Sequence, residues 1–282
     1  MDFSFTKMQG IGNDFVVADC LAPESPTPDV LQSASVRLCD RKFGIGGDGV
    51  LLVLPSQNAD FMMRMFNPDG SEAEMCGNGI RCFAKFVYDR GYTQKRTLHI
   101  ETLGGTKALE LTVENGTVSQ VTVDMGKPGL RRADLPMNGD ADGTALREAV
   151  EVLGQTVALT GVSMGNPHAV FFVPNATDEI INTLGPVLET YPLFPRRVNV
   201  HAVEVLGRNE IKMLTWERGA GRTLACGTGA CACVVASALN DQTDRRVLAH
   251  LPGGDLHIEW ASDDHVYMTG PAAEVFTGTL TL

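Results

Sequence analysis

Phe66-Asn-Pro-Asp-Gly-Ser-Glu-Ala-Glu-Met-Cys76-Gly-Asn-Gly79 and Trp216-Glu-Arg-Gly-Ala-Gly-Arg-Thr-Leu-Ala-Cys226-Gly-Thr-Gly229 are one design written twice. The copies align without a gap at a constant offset (226 − 76 = 150). In each, an apolar segment ends on an aromatic residue and leads into a polar loop, then Cys-Gly-x-Gly. A run with helical character follows, Asn78 to Arg90 in one copy and Thr228 to Asn240 in the other. Farther upstream, Gly12-Asn-Asp-Phe-Val-Val17 matches Gly165-Asn-Pro-His-Ala-Val170 at nearly the same offset (165 − 12 = 153), each a turn feeding a strand. A weaker echo relates the stretch after Arg41 to that after Arg196. Chance explains one such match; two in the same order point to a duplicated domain, a feature that decides architecture before any single element is assigned.

Strands and hairpins dominate the rest. Leu109 to Val113 and Val118 to Val123 alternate apolar and polar residues around Asn115-Gly116, a strong hairpin signal. Leu256 to Trp260 and His265 to Met268 flank a second turn at Ser262-Asp263-Asp264. Two further helices are expected over Asp29 to Arg41 and Thr177 to Thr190. Gly126 to Thr144, rich in Gly, Pro and Asp, reads as a linker or surface loop, so the domain boundary is expected near its start.

The chain has 282 residues, room for about two domains of ordinary size, and 44% of them are hydrophobic. No apolar run approaches the roughly 20 residues of a spanning helix; the longest, such as Gly49 to Leu54 and Ala169 to Val173, have strand length. Met1 to Lys7 lacks a basic segment followed by an apolar core, so a soluble cytoplasmic protein is the default expectation. The formal charge of −11, with no Lys/Arg cluster longer than a pair, opposes binding to nucleic acid or an anionic membrane. Seven cysteines, an odd number in a chain this long, argue for reduced thiols and not a disulfide framework. No Cys-x-x-Cys spacing suggests zinc, and Cys231-Ala-Cys233 reads as a buried helix face, so no metal is expected.

A glycine-rich turn opening a helix leaves backbone N–H groups without intrahelical partners. Those donors and the helix dipole make a site for a carboxylate or phosphate. Gly77 and Gly227 allow a ligand close to the backbone, and a cysteine just before such a helix has its thiolate favoured. Two such units suit inversion of a carbon centre, which needs a proton removed on one face and returned on the other. The carbanion next to a carboxylate would spread its charge onto oxygens held by backbone donors, each worth about 3–4 kcal/mol when well placed. The two sulfurs titrate as a coupled pair, one thiolate and one thiol. A lone Cys-Gly-x-Gly is more often a buried cysteine beside a tight turn; duplication reverses that. Cys20, Cys39, Cys82, Cys231 and Cys233 keep the structural reading.

At these residues the sequence closely resembles the diaminopimelate epimerases. The likeness is carried by Gly10-Ile-Gly-Asn-Asp-Phe15, Phe43-Gly-Ile-Gly46, Phe66-Asn-Pro-Asp-Gly-Ser71, Cys76-Gly-Asn-Gly79, Ser163-Met-Gly-Asn-Pro-His168, Glu217-Arg-Gly-Ala-Gly221 and Cys226-Gly-Thr-Gly229. It implies an α/β (α+β) fold of two pseudo-symmetric domains, each a curved mixed β-sheet or barrel around a central α-helix, with the active site in the interdomain cleft. The domains would be residues 1–125 with a returning strand at 271–282, and residues 126–270. The reaction would interconvert LL- and meso-diaminopimelate with neither pyridoxal phosphate nor metal, in lysine and peptidoglycan precursor biosynthesis. Cys226 would be the base for the LL substrate and Cys76 the acid. Asn78, Gly77, Gly227 and Thr228 would hold the carboxylate at the reacting centre with Asn13 close by. Asn67, Asn166, Asn199, Glu217 and Arg218 would hold the distal end, and His168 and Glu217 would tune the thiols. A homodimer is favoured.

Duller alternatives stand beside several of these. Asn67 and Asn166 precede turns and prolines, where Asn is common for backbone reasons. Arg218 and Glu217 suit a surface pair, and His168 a satisfied structural histidine. Some family members have Gln where this chain has Gly49, so a contact near the reacting amine is absent here or replaced by backbone. A proline-racemase-type enzyme is a near alternative, disfavoured by the distal set. A redox-sensing or anion-binding protein using the same thiols is the alternative from another class.

Overall fold

The computed structural model describes residues 2–281; Met1 and Leu282, at the ends of the first expected domain, lie outside the described residues. The chain divides into two compact units, Met1–Asp124 with Thr269–Leu282, and Met125–Met268.

In the first unit Asp2–Gly10 and Asn13–Asp19 form an antiparallel hairpin through Ile11 and Gly12, both at positive φ as a two-residue hairpin loop requires. Helix α1 (Pro28–Cys39) leads to Gly49–Leu54, which runs parallel to Asn13–Asp19. This helix stops two residues short of the expected Arg41. Asp40 is extended, and its carboxylate accepts the N–H groups of Lys42 and Phe43, a turn that competes with the helix. Phe61–Phe66 returns antiparallel, and Glu72–Ala73 folds back on its end. Helix α2 (Gly77–Asp89) comes next, then Thr97–Glu101 and the hairpin Lys107–Glu114/Thr117–Asp124 around Asn115-Gly116. Ala273–Thr281 completes the sheet, antiparallel to Asp2–Gly10 with Phe3 opposite Leu280.

The second unit repeats this order. Gln155–Ser163 and Pro167–Phe172 are the hairpin, and Glu148–Val152 supplies the flanking strand. Helix α3 (Asp178–Glu189), the strands Asn199–Gly207, Glu210–Glu217 and Gly221–Thr223, and helix α4 (Gly227–Leu239) follow. Arg246–Leu251 and Gly254–Trp260 then pair antiparallel. Register repeats along with order: Phe15 lies opposite Gly49 as His168 lies opposite Asn199, and Val50 opposite Phe66 as Val200 opposite Trp216. The duplication read from two motifs therefore extends through the whole ladder, giving two pseudo-symmetric mixed α/β units.

Each unit is built on a buried helix. In α4, Ala230 through Ala236 are fully buried, the pattern of a core helix apolar on every side. In α2, Ile80, Cys82, Phe83, Ala84 and Val87 are equally buried, and each large side chain among them contributes about 1.5–3 kcal/mol. Both helices end on a left-handed residue two positions past the last turn, Gly91 and Asp241, which stops the helical ladder.

Gly126 to Thr144 is not the free linker or surface loop that its composition suggests. Single bridges pair Gly129 with Ser163 and Arg131 with Thr144, and a short 3-10 turn covers Arg132–Asp134. Leu135 and Met137 are buried in the core with Leu159, Ala169 and Leu184. Gly, Pro and Asp report turns, and two well-placed apolar side chains suffice to fasten them. Among the described residues no helix is long and apolar enough to cross a membrane.

Candidate active site

Cys76 is the N-cap of α2, with extended backbone, and its Sγ accepts the N–H of Gly79 at 3.4 Å. The first N–H groups of the helix have no intrahelical acceptor. Asn13, just after the hairpin turn, places Oδ1 3.8 Å from Cys76 Sγ and accepts there from Asn78 Nδ2 at 3.1 Å. The amide of Asn13 is fixed from behind, because its Nδ2 donates to Asp48 Oδ2 at 2.6 Å. Behind that lies a charged cluster: Asp14 pairs with Lys7 at 2.5 Å and with Arg41 at 2.6 Å, and Arg41 also reaches Asp48 at 2.8 Å. Burial pushes the Asp14 carboxyl up, but Arg41 and Lys7 outweigh it and hold the pKa at about 2. These pairs clamp the turn that carries Asn13.

Cys226 caps α4 in the same backbone conformation. Its Sγ lies 3.7 Å from Thr228 Oγ1, which accepts from Asn166 Nδ2 at 3.4 Å. Asn166 Oδ1 is 2.8 Å from His168 Nε2, His168 Nδ1 is 2.9 Å from His201 Nε2, and His201 Nδ1 is 3.0 Å from Thr215 Oγ1. Both imidazoles are fully buried. Burial holds His168 well below the ordinary histidine value, helped by His201 and Arg218, and pushes His201 down to about 3. The rings are therefore neutral at physiological pH.

Asn199 is buried and held on backbone: its Nδ2 donates to the Pro167 carbonyl at 2.9 Å, and its Oδ1 accepts the N–H of Arg218 at 3.0 Å. The Arg218 side chain is exposed, with Nη1 3.4 Å from the Arg196 carbonyl. Asn67 directly follows the strand Phe61–Phe66, and Glu217 ends the equivalent strand Glu210–Glu217. Asn67 Nδ2 donates to Ser71 Oγ at 2.9 Å, and the Glu217 carbonyl closes a turn by accepting from Ala220. Among the described residues no group of three or more His, Cys, Asp or Glu side chains is placed to hold a metal.

The family model for diaminopimelate epimerase matches residues 5–130 and 160–275. A diaminopimelate epimerase of Pelotomaculum thermopropionicum is 54% identical over 274 residues, covering 97% of either chain. One from Moorella thermoacetica is 53% identical over 279 residues, covering 99% of either chain. This chain belongs to the diaminopimelate epimerase family. Solved structures share the fold at low identity. A phenazine biosynthesis protein of the PhzF family from Bacillus anthracis superposes with a TM-score of 0.73 at 15% identity, covering 100% of both chains. A probable proline racemase from Agrobacterium radiobacter gives 0.72 at 14%, covering 99% of this chain and 93% of its own.

Within this epimerase-family chain seven of the expected site residues gather in two hydrogen-bonded groups, one in each unit, while Asn67, Asn199, Arg218 and the Glu217 carbonyl bond elsewhere. Cys76, Asn78 and Asn13 form the first; Cys226, Thr228, Asn166 and His168 form the second. Gly49, at the place where Gln was the expected alternative, leaves little room for a side chain unless Met65 and the Phe66 backbone shift. A Cβ there would stand 2.8 Å from Met65 Cε and 3.0 Å from the Phe66 carbonyl oxygen. Three residues of these networks went unread in the sequence: Asp48, His201 and Thr215. His201 had a signal available, since it sits in an apolar strand at the position equivalent to Leu51 (201 − 150 = 51). Asp48 had none, because its partner lies 35 positions away.

Proposed function

We propose that this protein is a cofactor-independent epimerase that interconverts LL- and meso-diaminopimelate by proton transfer between Cys226 and Cys76. The observation that carries the reading is a cysteine at the cap of each duplicated core helix, in a chain 54% identical over 97% of its length to a diaminopimelate epimerase. The Cys226 sulfur, as thiolate, takes the α-proton of the LL centre, and the electron pair left on carbon moves into the adjacent carboxylate. N–H groups with no intrahelical acceptor at the helix starts, from Gly77 and Asn78 and from Gly227 and Thr228, receive that charge, each worth about 3–4 kcal/mol when aligned. The Cys76 thiol delivers a proton to the opposite face. Cys226 ends as thiol and Cys76 as thiolate, and the reverse reaction exchanges the roles.

The surroundings of the two sulfurs support this order. Cys76 Sγ faces an acceptor, Asn13 Oδ1, a contact suited to a sulfur that donates. Cys226 Sγ faces a hydroxyl that already accepts from Asn166 and has its own proton to give. Asn67, Asn166, Asn199, Glu217 and Arg218 are proposed to hold the distal ammonium and carboxylate, and His168 and Glu217 to tune the thiols. Asn199 acts through the backbone of Arg218 in this arrangement. The protein is further proposed to be a cytoplasmic homodimer; its charge of −11 supports a small-molecule substrate over nucleic acid.

In heavy water with reductant, the enzyme is expected to incorporate deuterium at the α-carbon of diaminopimelate while inverting it, and to leave proline unchanged. Cys76→Ala and Cys226→Ala should each abolish inversion. Retained inversion in either variant sinks the two-thiol mechanism.

A further inference from the structure

The two imidazoles behind Cys226 occupy places that the first unit fills with hydrocarbon. Beneath Gly79 lies Leu51, and beneath Gly229 lies His201; a Cβ added at these glycines would stand 3.1 Å from Leu51 Cδ2 and 2.4 Å from His201 Cε1. Phe15 and His168 hold equivalent ladder positions on the neighbouring strand, opposite Gly49 and Asn199. A leucine and a phenylalanine pack at no polar cost, whereas two buried rings must satisfy four nitrogens. All four have partners, and the partners impose a direction.

A neutral imidazole carries one N–H and one bare nitrogen. Asn166 Oδ1 can only accept, so His168 Nε2 holds the proton and His168 Nδ1 is bare. His201 Nε2, 2.9 Å from that bare nitrogen, must donate. His201 Nδ1 is then bare and accepts the Thr215 hydroxyl proton at 3.0 Å. With its oxygen engaged, Asn166 turns its NH2 to Thr228 Oγ1, and the Thr228 proton is left to point toward Cys226 Sγ. In the first unit the equivalent amide is reversed, because Asp48 accepts from Asn13 Nδ2 and leaves Oδ1 toward Cys76.

We propose that His201, backed by the Thr215 hydroxyl, is a positioning residue that fixes the tautomer of His168 and so keeps the Asn166 amide turned with its NH2 toward Thr228 and Cys226. It rests on the reading of Cys226 as an acid/base group. A carboxylate beside the Thr228 turn then meets donors, and the sulfur accepts a hydrogen bond from the Thr228 hydroxyl. Without the His201 donor, both tautomers of His168 become accessible. The amide can then invert, and Thr228 gives its proton to Asn166 in place of the sulfur.

Nitrogen-15 NMR of histidine-labelled full-length protein, paired with diaminopimelate kinetics, tests this. In the wild type His168 and His201 are each expected as the Nε2–H tautomer. His201→Leu installs the side chain that the first unit already houses at this place. It should abolish the single-tautomer pattern of His168 and lower kcat/KM tenfold or more. Both directions should fall by the same factor, because the equilibrium constant of the reaction does not belong to the enzyme. Thr215→Val should weaken the tautomer preference and kcat/KM, and Thr215→Ser should restore both. An Nδ1–H tautomer of His168 in the wild type overturns the proposal. So does a His168 pattern or kcat/KM unchanged in both His201→Leu and Thr215→Val. If His201→Leu does not fold, the Thr215 pair decides by the same spectrum and rates. If the wild type fails to turn over diaminopimelate, the functional reading falls, while the tautomer of His168 and its dependence on His201 and Thr215 still decide this inference.

Discussion

The sharpest test of the structure is one substitution made twice, Gly79→Ala and Gly229→Ala. Both glycines lie in the first turn of their helices, where Ala in place of Gly favours the helix by about 0.5–1 kcal/mol. At Gly79 the new Cβ meets Leu51 Cδ2 at 3.1 Å and Cys76 Cβ and Sγ at 3.3 and 3.5 Å, contacts that a small shift of flexible side chains relieves. The net change there is expected within about 1 kcal/mol of zero, propensity offsetting the tightness. At Gly229 the Cβ lands 2.4 Å from His201 Cε1, 3.0 Å from its Nε2 and 2.9 Å from Cys226 Sγ. The ring is fully buried and held at both nitrogens, so it has no free direction of retreat. Overpacking of this kind costs about 1–3 kcal/mol, and each buried group stripped of its hydrogen bond adds about 1–3. With the helix gain subtracted, Gly229→Ala should lose about 1–5 kcal/mol, a fall in Tm of about 2–20 °C at about 2–4 °C per kcal/mol. Calorimetry on both variants beside the wild type reads this directly. A Gly229→Ala protein that melts no lower than Gly79→Ala refutes the placement of His201 beneath the helix start.

Three further outcomes follow from the titratable groups. The depressed Asp14 carboxyl contributes stability that is full above its unfolded value of about 3.9 and lost as the pH falls toward its folded value of about 2. Asp14→Asn should flatten acid unfolding across that window, and an unchanged slope counts against the Lys7–Asp14–Arg41 clamp. Hydrogen bonds to Glu210 and Asp255 raise the His250 pKa. Its contribution is therefore full below about 6.5 and lost as the pH rises through the folded value, and an NMR titration placing His250 at or below 6.5 contradicts it. Burial raises the Cys82 thiol to about 12 and Cys233 well above the ordinary range. Both should resist iodoacetamide in the native protein and react on denaturation, with mapping by mass spectrometry; native labelling of either would contradict the buried helices.

Much of the fold was legible because it was written twice. A repeated Cys-Gly-x-Gly marks a helix start by local chemistry, and α2 and α4 begin within a residue of the runs read from it. Asn115-Gly116 was equally readable, since both residues take the positive φ that a two-residue hairpin loop demands. What escaped depends on contacts with no local trace. Asp48 reaches Asn13 only because parallel pairing sets Gly49 beside Phe15. Leu135 and Met137 are core residues inside a segment whose composition advertises turns. The strand Ala273–Thr281 is mostly exposed, so its alternation is weak and periodicity does not reveal it. His201 hides among valines, yet comparison of the halves position by position singles it out against Leu51.

The pairing of Asp2–Gly10 with Ala273–Thr281 also sets an order in time. On the ribosome the first strand emerges early, hydrogen-bonds with Asn13–Asp19 on one edge, and must wait for its other neighbour until some 260 more residues have been made. At about 5–20 residues per second that delay is on the order of ten seconds to a minute. Throughout it the nascent chain carries an open strand edge with Phe3 and Phe5 beside it, a template for pairing with a neighbouring nascent chain. The second unit, continuous in sequence, is free to fold during the same interval. Slow codons between the two units and the closing strand would lengthen the exposed period and lower soluble yield, with no change in the finished enzyme.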